Sequence, residues 1–251
     1  MNIKIIACKV FWRELSIITA TSPHYCDVTY LQQGLHAYPD KLRKAIGNEI
    51  AEIESGEDIH TNYPVSSSDR AFDAILLCYA LCAASIEGIS AKKHTLVIPR
   101  AHDCITVLLG SAKRYNEYFF EKKGTFWSSA GWVECWELPD ENSHKRILER
   151  YKATRGEKTA GRLALASESW KHNYSNLAYI KWDEIDSENN IEKCKNCAKY
   201  NGWDFEVLTG DSSLMRRFVN CDWDDDEFLT VPAGGEIVRS YDERIITYNG
   251  N

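Results

Sequence analysis

Along the chain, short apolar runs of strand length alternate with longer stretches in which apolar residues recur at helical spacing. Ile3 to Ala7 is the first such run, and a helical pattern follows from Trp12 to about Thr19. Val28 to Leu31 reads as a second strand. Pro39 and Asp40 open a helix through Ile53, with Leu42, Ile46, Ile50 and Ile53 at steps of four and three along one face. Phe72 to Leu77 is continuously apolar, as in a parallel strand covered on both sides, and Thr95 to Ile98 is another such strand, ended by Pro99. A helix with Val107, Leu108 and Tyr115 among its apolar positions is expected from Asp103. Residues 122–139, KKGTFWSSAGWVECWELP, carry three tryptophans and two glycines and read as an aromatic loop or crossover. A helical region from about Ser143 to Tyr174, broken near Gly156, comes next. Beyond it the pattern predicts a strand at Leu177 to Ile180, a helix at Ile191 to Tyr200 and a strand at Phe205 to Leu208. A helix at Ser213 to Phe218 and a strand at Phe228 to Val231 complete it.

This alternation predicts an α/β fold: two Rossmann-like lobes with mainly parallel sheets and a cleft between them. The expected division is an N-terminal lobe over 1–122, the aromatic crossover over 123–142 and a C-terminal lobe over 143–251. The chain is long enough to bury a sizeable core. Its net charge of -7, with no basic block, argues against a nucleic-acid partner. Asp222 and Asp224 to Asp226 read as a solvated turn. No apolar run approaches the roughly 18–20 residues a membrane span requires. The opening MNIKIIACKVFWRE places an apolar strand before its charges, unlike a secretory signal, so the expected location is the cytoplasm. Nine cysteines, an odd number, argue against a disulfide framework there and leave buried thiols, metal ligands or catalytic thiols.

The candidate chemistry sits at strand ends, where open parallel sheets bind ligands. The first strand ends at Cys8, the run from Phe72 reaches Cys82, and the strand from Thr95 leads into Pro99-Arg100-Ala101-His102-Asp103-Cys104. If these strands are parallel neighbours, Cys8, Cys82, His102 and Cys104 converge on one sheet edge. Thiolate and imidazole donors suit zinc first, and mononuclear iron or an iron–sulfur cluster as alternatives. The competing reading is packed thiols and a histidine bonded to backbone. Asp103 could orient His102 or cap the following helix, and His36, at a strand-to-helix turn, could ligate or serve as an acid–base group. Arg100 could clamp an anionic substrate group or make a salt bridge. Trp127 and Trp132 could wall a pocket or fill the core, and Asp211 could face a cleft or cap a helix. Cys194 and Cys197 lie three apart on a predicted helix and read as structural, as do Cys26, Cys135 and Cys221. The sequence has no nucleotide-binding glycine loop and no serine-hydrolase elbow.

The segments IIAC, GLHAYPDKLRKAI, FDAILLCYALC, LVIPRAHDCITVLLGS, KRYNEYF, GTFWSSAGWVE and GDSSLMRRFVNCDWDDDEFLTVPAG together resemble the uncharacterised bacterial and archaeal family called domain of unknown function 1638. The likeness covers nearly the whole chain and is most specific at Pro-Arg-x-His-Asp-Cys. It implies that the positions of Cys8, His36, Cys82, His102, Asp103 and Cys104 belong to the family's pattern. Lys9, Ala80 and Ala83 stand where the family has glycine, and their added bulk is expected to narrow the site. The resemblance further implies one-carbon, corrinoid-linked methyl transfer, with a small-molecule substrate and a corrinoid or methyltransferase protein as partner. Zinc held by His-x-Cys and a distant Cys in thiol-alkylating methyltransferases offers a mechanistic analogy on a different fold. The expected activity is therefore metal-dependent transfer on a small thiol or one-carbon substrate. The alternative is a non-catalytic protein that handles a metal, a cluster or a corrinoid.

Overall fold

Strand β1 (Asn2–Cys8) buries its five central residues, Lys4 among them, as a strand covered on both faces must. Lys4 Nζ is satisfied by Asp27 Oδ1 at 2.8 Å on the neighbouring strand β2 (Tyr25–Leu31). One 3-10 turn at Lys9–Phe11 leads from β1 into helix α1 (Trp12–Thr21). Helix α2 (Pro39–Ser55) starts on proline, ends at Gly56 with φ +79°, and buries Leu42, Ile46, Ile50 and Ile53, the stripe its periodicity predicts. That stripe packs with Ile6, Ile75, Leu77, Leu96 and Ile98 into the main core. These elements belong to a computed structural model of the chain, which describes residues 1–56, 71–82 and 84–250. Ala83 lies outside the described residues.

Strands β3 (Ala74–Cys78) and β4 (Thr95–Pro99) complete the parallel part of the first sheet: β1 pairs with both β2 and β3, and β3 pairs with β4. The strands expected to end at Cys8, Leu77 and Ile98 therefore do lie in one parallel sheet with their carboxyl ends on one edge. After β4 the expected single helix is two, α3 (Cys104–Leu109) and α4 (Ala112–Glu121). Gly110 between them has φ +72°, and a Cβ there would lie 2.7 Å from Asp211 Cβ. The stretch expected to be an aromatic loop is instead strand β5 (Thr125–Ser129) and helix α5 (Ala130–Cys135). β5 pairs parallel with β6 (Asn176–Lys181), and β6 with β7 (Asp204–Thr209). The helical region between them is α6 (Glu141–Arg155) and α7 (Glu157–Ser167), broken at Gly156 as expected. Helix α8 (Glu188–Asn201) joins β6 to β7.

The expected lobe boundaries need correction. Strand β8 (Phe228–Val231) pairs antiparallel with β4, giving the order β2-β1-β3-β4-β8, so the end of the chain completes the first sheet. Helix α9 (Ser213–Val219) packs against α1 and α3, and β9 (Glu236–Arg239) pairs antiparallel with β10 (Ile246–Asn249). One compact unit thus comprises Met1–Arg114 with Asp211–Asn251, and the other Tyr115–Gly210. The acidic run read as a solvated turn is tied to arginines: Arg217 pairs with Asp222, Asp224 and Glu227, and Arg244 with Asp225 at 2.5 Å. Among the described residues no helix is long and apolar enough to cross a membrane.

Candidate functional site

Ligands of open α/β sheets collect beyond the strands' carboxyl ends where the strand order reverses. The chain leaves β1 for β2 and returns on the other side of β1 as β3, so the reversal lies between β1 and β3. Cys8 is the last residue of β1 and Cys78 the last of β3. Past Cys78 the chain turns, Tyr79 N–H donating to the Leu77 carbonyl at 2.8 Å. It then runs beside the segment that follows β4, with Leu81 N–H donating to Ala101 O and Cys82 N–H to His102 O, both at 2.9 Å. This pairing brings Cys82 alongside the turn into α3, and charge on Cys8 and Cys82 bears on Cys104.

Burial dominates the thiols. It pushes Cys82 up to about 12; the backbone near Ala80 and Cys104 pulls it down, and Cys8 and Asp103 add to the rise. Burial likewise holds Cys104 well above the ordinary thiol value, with Cys82, Asp103 and Cys8 reinforcing it. Cys78 is raised by burial first, then by Cys8 and Glu14. These groups are protonated at neutral pH, and a thiol is a poor nucleophile in that form. Cys82 also has φ +42°, a left-handed backbone that a side-chain-bearing residue adopts at a cost of about 1–3 kcal/mol. Among the described residues no three His, Cys, Asp or Glu side chains are arranged to hold a metal ion.

The other expected site residues divide. His102 is exposed and joined to Cys82 through the backbone. Asp103 caps α3, its Oδ1 accepting from Ile105 N–H at 3.1 Å and Thr106 N–H at 3.2 Å. His36, in the 3-10 turn Leu35–Ala37 after β2, is exposed as a residue, while the protein around its ring lowers its pKa by desolvation. Arg100 is corrected from substrate clamp to structural tie. Its Nε donates to Asp225 O at 2.8 Å, Nη2 to Asp225 Oδ1 at 2.9 Å, and Nη1 to the carbonyls of Arg244 and Ile246. Asp211 is a turn residue: its N–H donates to Leu108 O at 3.2 Å and its Oδ1 accepts from Ser213 N–H at 2.8 Å. Trp127 belongs to the second unit, where it packs on Tyr118 with ring centroids 4.9 Å apart. Cys194 and Cys197 are buried in that unit's core against Leu177 and Tyr179, as their structural reading requires.

Two residues of the site escaped the sequence reading. Tyr79 is buried, and its hydroxyl has no hydrogen-bond partner among the described residues. Burial first, then Cys8, Cys78, Cys82 and Glu49, holds its pKa well above the ordinary phenol value, so it remains a donor. Glu14 is only 2% exposed, on α1, close enough for its charge to bear on Cys78. Tyr79 stood in plain view inside FDAILLCYALC, directly after a strand. Glu14 gave a weaker signal, a charge next to Leu15 on the buried side of its helix.

A family model described as "Protein of unknown function (DUF1638)" matches residues 30–219. The matched span contains His36, Cys82, His102, Asp103 and Cys104 and leaves out Cys8. No curated protein and no solved structure matches the chain.

Proposed function

We propose, for a chain that belongs to the DUF1638 family, that the thiols at the β1/β3 reversal form a site for a thiophilic metal ion, zinc first. The carrying observation is geometric: Cys8 ends β1 beside β3, and past β3 Cys82 N–H donates to His102 O at 2.9 Å, two residues before Cys104. Cys82 and Cys104, half-buried thiols of raised pKa, cost little as neutral groups. With Cys8 they would become ligands by turning toward one ion as it displaces their protons, since no three donors are so arranged among the described residues. His102 is the fourth donor, and its exposure leaves room for an exchangeable ligand. The order β2-β1-β3-β4 supports reading the first unit as a Rossmann-like lobe, and β5-β6-β7 supports the same for the second. Nine cysteines without a disulfide suit a reducing, cytoplasmic setting.

With zinc bound, the site would supply the Lewis acidity that keeps a small thiol deprotonated for transfer of a one-carbon group. In that reading the Tyr79 hydroxyl donates to the bound substrate, and Asp103 positions Cys104 by fixing the start of α3. The burial of Cys82 and Cys104 favours a second reading, a carrier or accessory protein that handles a metal, a cluster or a corrinoid without turnover.

Titration of the reduced protein with cobalt(II) tests the site. One equivalent should bind, with a thiolate-to-metal charge-transfer band, and affinity should rise with pH because raised thiol pKa values mean protons must leave. Cys104→Ser should weaken binding by at least about tenfold, and Cys194→Ser should not. Equal loss from both variants, or no charge-transfer band, would sink the proposal. A shift of the band when 2-mercaptoethanol is added supports the enzyme, and an unchanged band supports the carrier.

A further inference from the structure

Four non-glycine residues among the described residues have positive φ, and two of them follow β3 in close succession: Cys82 at +42° and Ala84 at +69°. Side-chain-bearing residues keep such a backbone only where the surroundings over-determine it. Most of the hold is local. Cys82 N–H donates to His102 O at 2.9 Å. Ser85, which is fully buried, donates its N–H to Leu81 O at 3.1 Å and to Cys82 O at 3.3 Å, and its hydroxyl also donates to Cys82 O.

One bond reaches the turn from another element. Arg43 of α2 donates from Nη2 to Ala84 O at 3.3 Å. Its stem lies beside the same loop, since a Cβ on Gly88 would meet Arg43 Cδ at 3.8 Å. Leu42, next to Arg43, is buried in the main core, so the donor stands on a fixed support. The other printed partner of Arg43 is the Asp40 carboxylate at 3.1 Å, and that side chain is 96% exposed, so the ion pair contributes little. The carbonyl contact is the one that ties α2 to the segment carrying a proposed ligand.

We propose that Arg43 is a positioning residue for Cys82: by holding the Ala84 carbonyl it keeps the left-handed turn that carries the Cys82 thiol. The use of that thiol rests on the metal site proposed above. A turn under strain needs a hold, and a relaxed one does not. Glycine adopts φ +69° without a side-chain penalty, so Ala84→Gly removes part of what Arg43 works against.

The test is a rescue, carried out on the full chain. Arg43→Met keeps most of the stem and removes every donor. In the reduced, metal-free protein it should speed amide exchange at Cys82 about tenfold, the effect of roughly one lost hydrogen bond. Cobalt affinity should fall about tenfold, as on losing a group that orients a ligand. Ala84→Gly alone should leave both quantities at their wild-type values, and adding it to Arg43→Met should restore most of both. Amide signals of α2 check that each variant is folded. If Arg43→Met unfolds, Arg43→Lys, whose ammonium ends about one bond short of the Nη2 position, is read by the same rescue. Unchanged exchange at Cys82, or a double variant as impaired as the single one, overturns the proposal and leaves Arg43 a surface residue of α2. If the wild type binds no cobalt, the metal reading falls while the exchange rates still decide the clamp. If cobalt binds and exchange at Cys82 does not move, the clamp falls alone.

Discussion

At the scale of single residues, backbone conformation decides more than side-chain identity does. Gly110 and Gly47 make the contrast. Gly47 lies exposed inside α2, where an added Cβ meets nothing within 4 Å, so Gly47→Ala should raise stability by about 0.5–1 kcal/mol through helix propensity. Gly110 ends α3 at φ +72°, and its Cβ would lie 2.7 Å from Asp211 Cβ and 2.8 Å from Asp211 O. Gly110→Ala should therefore cost about 2 kcal/mol or more, since left-handed strain and a clash with backbone act together. Urea unfolding of the two variants checks both signs. A neutral Gly110→Ala would mean that the turn joining α3 to Asp211 is loose. Residue identity made the cysteines legible, because their chemistry and their positions at strand ends are both written in the sequence. It left Asp103 open between cap and second-sphere group, since either role is served by an aspartate preceding a helix. The hydrogen bonds to Ile105 and Thr106 decide for the cap.

At the scale of elements, periodicity was readable wherever one face or both faces of an element are buried. The α2 stripe and the fully covered β3 are examples. β5 was not readable, because it sits at the sheet's edge and buries only Ser128 and Ser129, so Thr-Phe-Trp-Ser-Ser carries neither an alternating nor a continuous apolar pattern. Arg100 stayed open between clamp and salt bridge for a related reason: apart from the Asp225 carboxylate, its partners are backbone carbonyls far along the chain, and no sequence pattern announces those. Four of its N–H groups join the end of β4 to Asp225 and to the Arg244–Ile246 segment at β10. Arg100→Met keeps most of the buried stem and removes every donor. It should lower stability by about 2–4 kcal/mol, the cost of stranding buried acceptors and losing charge-assisted bonds. Hydrogen exchange should quicken around residues 225–246, while cobalt stoichiometry stays unchanged. If stability held and metal or substrate binding fell, Arg100 would be a clamp after all.

At the scale of the whole molecule, the first unit is closed by residues that follow the second unit in the chain. The strand at Phe228 to Val231 was legible, but its partner was not, since apolar alternation says nothing about which sheet an edge strand joins. What it contributes is large. Met215, Phe218, Val219, Phe228, Leu229 and Val231 are all buried, and the rings of Phe218 and Phe228 stack at 5.8 Å. Each such side chain contributes about 1.5–3 kcal/mol by leaving water, so together they rival the roughly 5–15 kcal/mol that holds a typical domain folded. Removing 211–251 would also uncover the second edge of β4 and the faces of α1 and α3 that α9 covers. The 1–210 fragment should therefore lose cooperative structure in its first unit, with fast amide exchange throughout β1, β3 and β4 and no cobalt charge-transfer band. The second unit is continuous in sequence and keeps its own core of Leu177, Tyr179, Cys194, Cys197 and Trp203. All tryptophans except Trp12 and Trp223 belong to it, so near-UV circular dichroism should remain close to that of the full chain. Protected β1, β3 and β4 amides in 1–210 would show that the first sheet stands without β8, and the antiparallel closure would then be an addition to a fold already complete.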